Sequence, residues 1–591
     1  MCSIIGHISK TPQASAMAEV QHLLHAMHHR GPDAGHARTC SNTTLLASNR
    51  LRITDAANPA ADMPMVSPDG RFTLVFNGEI YNHTQLRNQL AGYPFTTSSD
   101  TEVLLAAFAT WGRACLPMLE GMFAFCIHDA TDDSTLIASD PTGQKTAYIY
   151  EDDTAILVAS ELDPLISNPH RTKNWDHNGL AEYIAQRFIL GGNTHIRQIR
   201  KLLSGTWEQF SPQGHTQGRF YHVPIGRQHF ADVPAICDTL KQTVTNACNL
   251  TFNLEVPYGL FLSGGIDSTA VLALASQRGL TMRTFSIGFD MHNLLPNSPS
   301  VLNEFEYSRA LAKQFNTLHH EIILRDEDYC TYLDTWADMS GEPLGSQEAP
   351  CLVRLMEEAH PHVRVVFSGS GPDEIFDGYS SGKDMSAAAM EDLPDVYART
   401  FGWVGGTDLN RLMPHHNATA ITAAKLRDIL SLYPQVTNPL QAVQLLHFHG
   451  RLGVYEFRQM DVISMNASIE VRSPLTDTSI VAAAFDFDPA LKQSGGEKGI
   501  FKQALASVVP PFIRQRKKQG FPIPSEMWFS PAFEARARIL FDTDCILVAC
   551  GLINPAYLRQ LWESPDPDTR NIFSRLYTLE RILRRQAPNV T

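Results

Sequence analysis

The stretch Leu262-Ser263-Gly264-Gly265-Ile266-Asp267-Ser268-Thr269 leaves the chain few ways to fold. Residues 256–262 are mostly apolar and read as a buried strand, with Pro257 near its start and Gly259 inside it. Residues 263–268 make a tight turn, and 269–275 continue in helix-compatible residues. Two glycines let the backbone come close to a ligand, and the turn aims backbone N–H groups and a helix N-terminus at it. That arrangement suits an anion, above all a phosphate. The spacing is not the Walker pattern, because no Lys-Ser/Thr follows the glycines. The same letters also fit a plain strand–turn–helix corner whose glycines serve packing.

A chain of 591 residues has room for more than one domain. Apolar content of 43% with 19% charged residues describes a globular protein rather than a disordered one. A formal charge of -14 argues against nucleic acid as the main partner, and the densest basic cluster, 514–518, is too short to change that. No apolar run reaches membrane-spanning length, and the first residues lack a signal-peptide core, so no membrane is expected. Ten cysteines without CxxC pairs point to neither a zinc site nor a disulfide framework, and a reduced, cytoplasmic compartment fits best.

Cys2 becomes the first residue if Met1 is removed. A thiol beside a free α-amine then has a built-in proton acceptor, the N-terminal nucleophile device. Alone, a small residue at position 2 means little. Further on, 27–35 (MHHRGPDAG) is a Gly/Pro-broken loop, and Ser48-Asn49-Arg50-Leu51 sets a guanidinium after a short apolar run. Residues 72–76 read as a strand running into Asn77-Gly78-Glu79-Ile80-Tyr81-Asn82. Ser99-Asp100-Thr101-Glu102 has capping-box spacing and opens what reads as an amphipathic helix. Residues 121–127 and 155–159 read as buried strands.

Taken in order, Cys2, the RGPD loop, the NGEIYN segment and the SDTE helix start resemble the class II glutamine amidotransferase domain. The resemblance covers about the first two hundred residues and implies an αββα N-terminal nucleophile fold. It further implies that Cys2 attacks the glutamine side-chain amide, with Asn77 and the Gly78 N–H holding the oxyanion. Arg50 would pair with the substrate α-carboxylate. Asp100 would face the substrate ammonium, and Glu79 would contact the same substrate.

Residues 211–232 are mixed in Gly, Pro and His and weakly periodic, and the connection between domains is expected there, between a first domain at 2–210 and a second at 233–591. After the first strand come expected strands at 283–287, 318–324 and 363–368, with a helix at 303–315. Strands alternating with helices predict a parallel sheet, with ligands at the carboxyl ends of its strands.

With SGGIDS, TFSIGFD (284–290), SGSGPDE (368–374), SMNASIEVRSPLTD (464–477) and KKQGFP (517–522), the second part is similar to the asparagine synthetase family. Together with the first part, the resemblance covers nearly the whole chain. It implies a parallel-sheet α/β domain that splits ATP to AMP and pyrophosphate, followed by a helical C-terminal part. A carboxylate would attack the ATP α-phosphate, and ammonia from the first domain would displace AMP from the acyl-adenylate. Ser263, Gly264, Gly265, Asp267 and Ser268 would bind pyrophosphate, with Asp267 and Asp373 on Mg²⁺. Leu262, Ile287 and Gly369 would flank the adenosine beside Ser368. Lys498 and Lys518 would neutralise charge on the phosphates, although a solvated basic face explains them too. Glu470 and Arg472 read as a structural ion pair. Glutamine, ATP and a carboxylate are the partners implied, and a homodimer is left open.

The match loosens in one quarter. Ser370 stands where the family usually carries an acidic residue implicated in handling the acceptor or ammonia, and Pro372 stiffens the same turn. Asp461 is followed by Val462-Ile463 where an Arg-Met pair is usual, and 139–145 and 341–348 also depart. These changes cluster around the acceptor and spare the glutamine and ATP loops. They imply an acceptor other than aspartate, as in a specialised step of secondary metabolism. Three alternatives stay open: an intramolecular amide former like the β-lactam synthetases, which the retained Cys2 opposes; a degenerate homologue that serves as a binding or regulatory subunit; and glutamine hydrolysis without synthesis, which needs only the first domain.

Overall fold

The computed structural model describes all residues except 1, 11–15, 227–231, 291–304, 380, 403, 405–406, 493–494, 517–522 and 591. Its N-terminal half stacks two six-stranded antiparallel sheets. One runs Ile199–Lys201, Tyr148–Glu151, Ala155–Ala159, Ile5–Ser9, Thr44–Arg50, Ala34–Thr39. The other runs Gly214–Arg219, Thr206–Ser211, Ser134–Ser139, Gly121–Asp129, Phe72–Ile80, Met65–Val66. Period-two alternation divides the first sheet: Ile4, Ile8, Leu46 and Val158 face the second sheet, while Ile5, Leu45 and Leu157 face the helix Ala16–Ala26. The helix Asp100–Trp111 packs outside the second sheet. The result is the αββα order implied above, with the start of the chain in the middle of a sheet.

The expected amphipathic helix at 100–111 is instead buried on all sides from Asp100 to Phe108. Its Leu, Val and Ala residues run round the whole circumference, which marks a buried helix rather than a surface one. Its capping box is also half made. Ser99 Oγ accepts from the Glu102 amide at 3.2 Å, but the Glu102 carboxylate turns to the amides of Thr96 and Thr97.

The stretch expected to connect the domains is partly strand. Thr206–Ser211 and Gly214–Arg219 form a hairpin at the sheet edge, with Ser211 opposite Gly214, so chain up to 219 belongs to the first sheet pair. Polar strand residues on an exposed edge carry little apolar alternation, which is why the pattern hid them. The helix Val233–Thr251 opens the second half.

There, five parallel strands run in the order Leu318–Arg325, Arg283–Asp290, Tyr258–Phe261, Val365–Phe367, Glu470–Arg472. The four expected strands are present with shifted ends, and the expected helix at 303–315 spans Phe305–Gln314. Glu470–Arg472 is a fifth strand that its charged ends concealed. One face packs against Val233–Thr251 and Ile266–Gln277, the other against Ala349–Ala359. Strand order reverses between Tyr258–Phe261 and Val365–Phe367, so the SGGIDS and SGSGPDE turns emerge side by side at the topological switch point. The C-terminal helix Ile572–Gln586 packs in one core with Leu180 and Ile184 of the N-terminal half. Among the described residues no helix is long and apolar enough to cross a membrane.

Candidate functional site

At the N-terminal end, Cys2 is buried, and its backbone nitrogen donates to Asn77 Oδ1 at 3.1 Å. Asn77 sits in the strand Phe72–Ile80, so a regular ladder fixes it beside the thiol. Its other side-chain atom, Nδ2, is a buried donor with no hydrogen-bond partner. Unmade bonds of this kind cost free energy and mark a place that awaits an acceptor. Gly78 comes next with φ +153, and a Cβ there would lie 2.0 Å from the Met122 carbonyl oxygen. Only glycine fits. Burial pushes the Cys2 thiol up from its ordinary pKa, against a smaller pull from Arg50.

Arg50 is buried, with Nη1 on Asp62 at 2.7 Å and Nη2 on the Thr54 carbonyl at 3.0 Å. Asp100, at the start of its helix, accepts from the Ile80 amide at 3.0 Å. Glu79 Oε1 accepts from Thr54 Oγ1 at 2.8 Å, and its Oε2 lies 3.1 Å from Arg472 Nη2. Arg472 also pairs with Glu470 at 2.5 Å, so the expected ion pair exists and reaches on to Glu79. Here one guanidinium faces three buried carboxylates. Burial first, then the neighbouring charge of Asp100, pushes Glu79 up to about 8. Burial likewise raises Asp100 to about 6. Glu470 lies below the ordinary range despite its burial, because Arg472 favours its charge.

At the switch point, Gly264 has φ +72, and a Cβ on it would lie 2.8 Å from Tyr307 Cβ. Ser263 Oγ accepts from the Gly265 amide at 3.2 Å and lies 3.2 Å from Ser268 Oγ. Gly369 brings the neighbouring turn so close that a Cβ would lie 2.6 Å from the Ser268 nitrogen. Ser368 Oγ meets Ser370 Oγ at 2.8 Å. Leu262 is buried and Ile287 partly so, one strand over. Lys498 Nζ stands between Asp267 Oδ2 at 2.5 Å and Asp373 Oδ1 at 2.8 Å. Burial disfavours the Lys498 charge, but the two carboxylates outweigh it and raise the amine above its ordinary range. Lys498 is therefore buried between the two turns and not on a solvated face. Lys518, with the rest of KKQGFP, lies outside the described residues.

Beside this, the SGSGPDE turn carries Glu374 into a buried group with Tyr379 and Arg451. Burial, with Glu456 and Asp373 nearby, pushes Glu374 up to about 7.

A seam of buried charge runs from Cys2 to the helix that carries Asp461. Arg30 donates to the Cys2 carbonyl at 3.2 Å, to Glu161 at 2.8 Å and to Asp461 at 3.0 Å. Lys145 reaches the other oxygen of Asp461 at 2.7 Å. Burial opposes ionisation of Asp461, but Arg30, Lys145 and Arg458 hold it below the usual carboxylate range. The sequence singles out Asp461 only through its neighbours Val462 and Ile463, and its charged partners went unseen. Arg30 lay in the RGPD motif and was within reach of inference; Arg458 carried no signal.

Comparison with known proteins finds two family models on this chain. The model of the family described as asparagine synthase matches residues 239–587, and that of the glutamine amidotransferase domain matches residues 1–221. A Mycobacterium bovis protein provisionally named asparagine synthetase (glutamine-hydrolyzing) is 30% identical over 87% of this chain and 85% of its own length. Asparagine synthetase (glutamine-hydrolyzing) 1 of Bacillus subtilis is 26% identical over 98% of this chain and 95% of its own. Asparagine synthetase (glutamine-hydrolyzing) 3 of the same organism is 24% identical over 88% and 87%.

Proposed function

The chain belongs to the asparagine synthase family, and on that premise we propose that it transfers the amide nitrogen of glutamine to an ATP-activated carboxylate. Cys2, once first in the chain, gives its proton to its own α-amine and attacks the glutamine amide. Asn77 Nδ2 and the Gly78 N–H receive the oxyanion, Arg50 the α-carboxylate, and Asp100 with Glu79 the ammonium. The C–N bond breaks as the α-amine returns the proton to the leaving nitrogen, water then hydrolyses the thioester to release glutamate, and ammonia passes to the second part of the chain. There the acceptor carboxylate attacks the ATP α-phosphate, the bond to pyrophosphate breaks, and ammonia displaces AMP from the acyl-adenylate. Ser263, Gly264, Gly265, Ser268 and Ser368 hold phosphate; Leu262, Ile287 and Gly369 flank the adenosine.

Asp267 and Asp373 converge on one cationic point, which Lys498 Nζ marks. Two carboxylate oxygens on one point fit a hard divalent cation, and Mg²⁺ bound there would neutralise phosphate charge. Lys498 then stays on the phosphates as charge moves to pyrophosphate, and Lys518 is proposed to serve the same charge. The observation that carries the reading is the bridge of Arg30, which ties the Cys2 carbonyl to Asp461 of the second part of the chain inside the protein.

Ser370 spends its hydroxyl on Ser368 and supplies no base, which supports an acceptor other than aspartate. The ten cysteines form no disulfide with one another, which supports a cytoplasmic setting. Whether two copies associate is read by sedimentation velocity. The test of function is AMP and glutamate release with glutamine, Mg-ATP and a panel of carboxylates. AMP formed with another acid and not with aspartate supports the acceptor reading, AMP formed with aspartate at an ordinary rate overturns it, and no AMP with any acid overturns the whole assignment.

A further inference from the structure

Away from both sites, three metal-ligating side chains from separate elements meet at the edge of the parallel sheet. They are His320 on Leu318–Arg325, Glu358 on Ala349–Ala359, and His362 in the turn before Val365–Phe367. One ligand atom from each lies within 4.8 Å of the others, and all three residues are half-exposed. His320 Nδ1 is 3.8 Å from Glu358 Oε1. The two imidazole rings stand 4.6 Å apart at 45°, and Phe285 stacks on His320 at 4.9 Å. Arg354 donates to the other carboxylate oxygen, Glu358 Oε2, at 3.2 Å and so orients the carboxylate. Nothing in the proposed reaction uses these residues.

We propose that His320, Glu358 and His362 bind a borderline-soft divalent ion of the Zn²⁺ type. Two imidazoles and one carboxylate form a donor set for such an ion rather than for Mg²⁺ or Ca²⁺, which take oxygen. Bonds of about 2.0–2.1 Å put tetrahedral ligand atoms roughly 3.4 Å apart, so the side chains close by about an ångström or so on binding. Half-exposure leaves an entry path and a fourth position for water. Arg354 acts on Glu358 as an outer-sphere partner does. The ion would clamp the helix Ala349–Ala359 to the sheet edge, and that helix continues directly from 341–348, where the chain departs from its family.

The test uses the full chain without a histidine tag, stripped of metal. Titration with Zn²⁺ alone, monitored by calorimetry, should give one equivalent bound and a Tm that rises with Zn²⁺ concentration. His362→Ala and Glu358→Gln should each weaken that binding by more than about 10-fold. Co²⁺ in place of Zn²⁺ should give a visible spectrum without the thiolate charge-transfer band that binding at Cys2 would produce, a readout that needs no variant. No stoichiometric binding, thiolate ligation of the bound equivalent, or unchanged affinity in both folded variants would overturn the proposal.

Discussion

At Cys2 a buried nitrogen donor, Asn77 Nδ2, stands unpaired in the middle of a sheet ladder, whereas at the switch point Lys498 Nζ is already gripped by Asp267 and Asp373. The first end holds its polar groups in regular strand and leaves one bond unmade. The second holds its groups on two turns and satisfies them with one another, so in the proposed reaction substrate has to replace an ion pair. A pre-built donor in a closed ladder loses little to reorganisation when charge develops beside it. A self-neutralised pair of turns keeps like charges together when empty, at the cost of rearrangement on binding. The two ends should therefore fail separately, and differently.

The largest effect expected is from Cys2→Ala. Glutamine-supported AMP formation should fall by at least about 10⁴-fold, the scale of losing a nucleophile, while ammonia-supported AMP formation holds within about twofold. Assays with each nitrogen source read this, and equal loss with both would erase the distinction between the ends. Next is Lys498→Ala, which leaves Asp267 and Asp373 facing each other and removes a cation from the developing phosphate charge. AMP formation should drop about 10²–10³-fold with either nitrogen source, with glutamine hydrolysis unaffected. Rescue by Lys498→Arg is not expected, since a planar fork cannot take the place of one ammonium between two carboxylates.

How far these contrasts were legible in the letters depends on where each residue sits. The SGGIDS turn was readable because strand, glycines and helix start are contiguous, and Asn77-Gly78 because it ends an apolar run. The hairpin at 206–219 was not, because its edge strand is polar, and neither was the strand Glu470–Arg472, three residues with charged ends. Lys498 could be placed near phosphate only by resemblance; its contact with Asp267 spans 231 positions. The Arg30–Asp461 bridge spans 431, and no periodicity carries such a pairing. Local chemistry was visible, and the electrostatics that join distant segments were not.

A smaller and pH-dependent effect separates the ends again. Asp100 is raised to about 6 by burial, and in the proposed role it has to be charged to meet the substrate ammonium. Below pH 6 it takes up a proton, so kcat/KM for glutamine should fall by about tenfold per pH unit. Ammonia-supported AMP formation, corrected for the ammonia–ammonium equilibrium, should not share that limb. A common acid limb would place the controlling group in the nucleotide half.

The mildest change tests the glutamine-side cluster itself. With Arg472 shared among Glu79, Asp100 and Glu470, the one positive charge is too little, and Glu79 keeps its proton up to about 8. At pH 7 Glu79→Gln then replaces one neutral acceptor by another of the same shape, and the bond from Thr54 Oγ1 survives. Activity with glutamine should stay within about twofold. Stability should not stay the same. An unfolded glutamate loses its proton near pH 4.3, while the folded one holds it, so between there and about pH 8 the native state binds more protons than the unfolded one. Wild-type stability thus falls as pH rises through that window, and the glutamine variant lacks this fall. Melting curves should coincide at pH 4 and separate in favour of Glu79→Gln towards pH 8. A variant less stable than wild type at pH 8 would mean that Glu79 is ionised against Arg472, and that the cluster is a salt bridge and not a reservoir of protons.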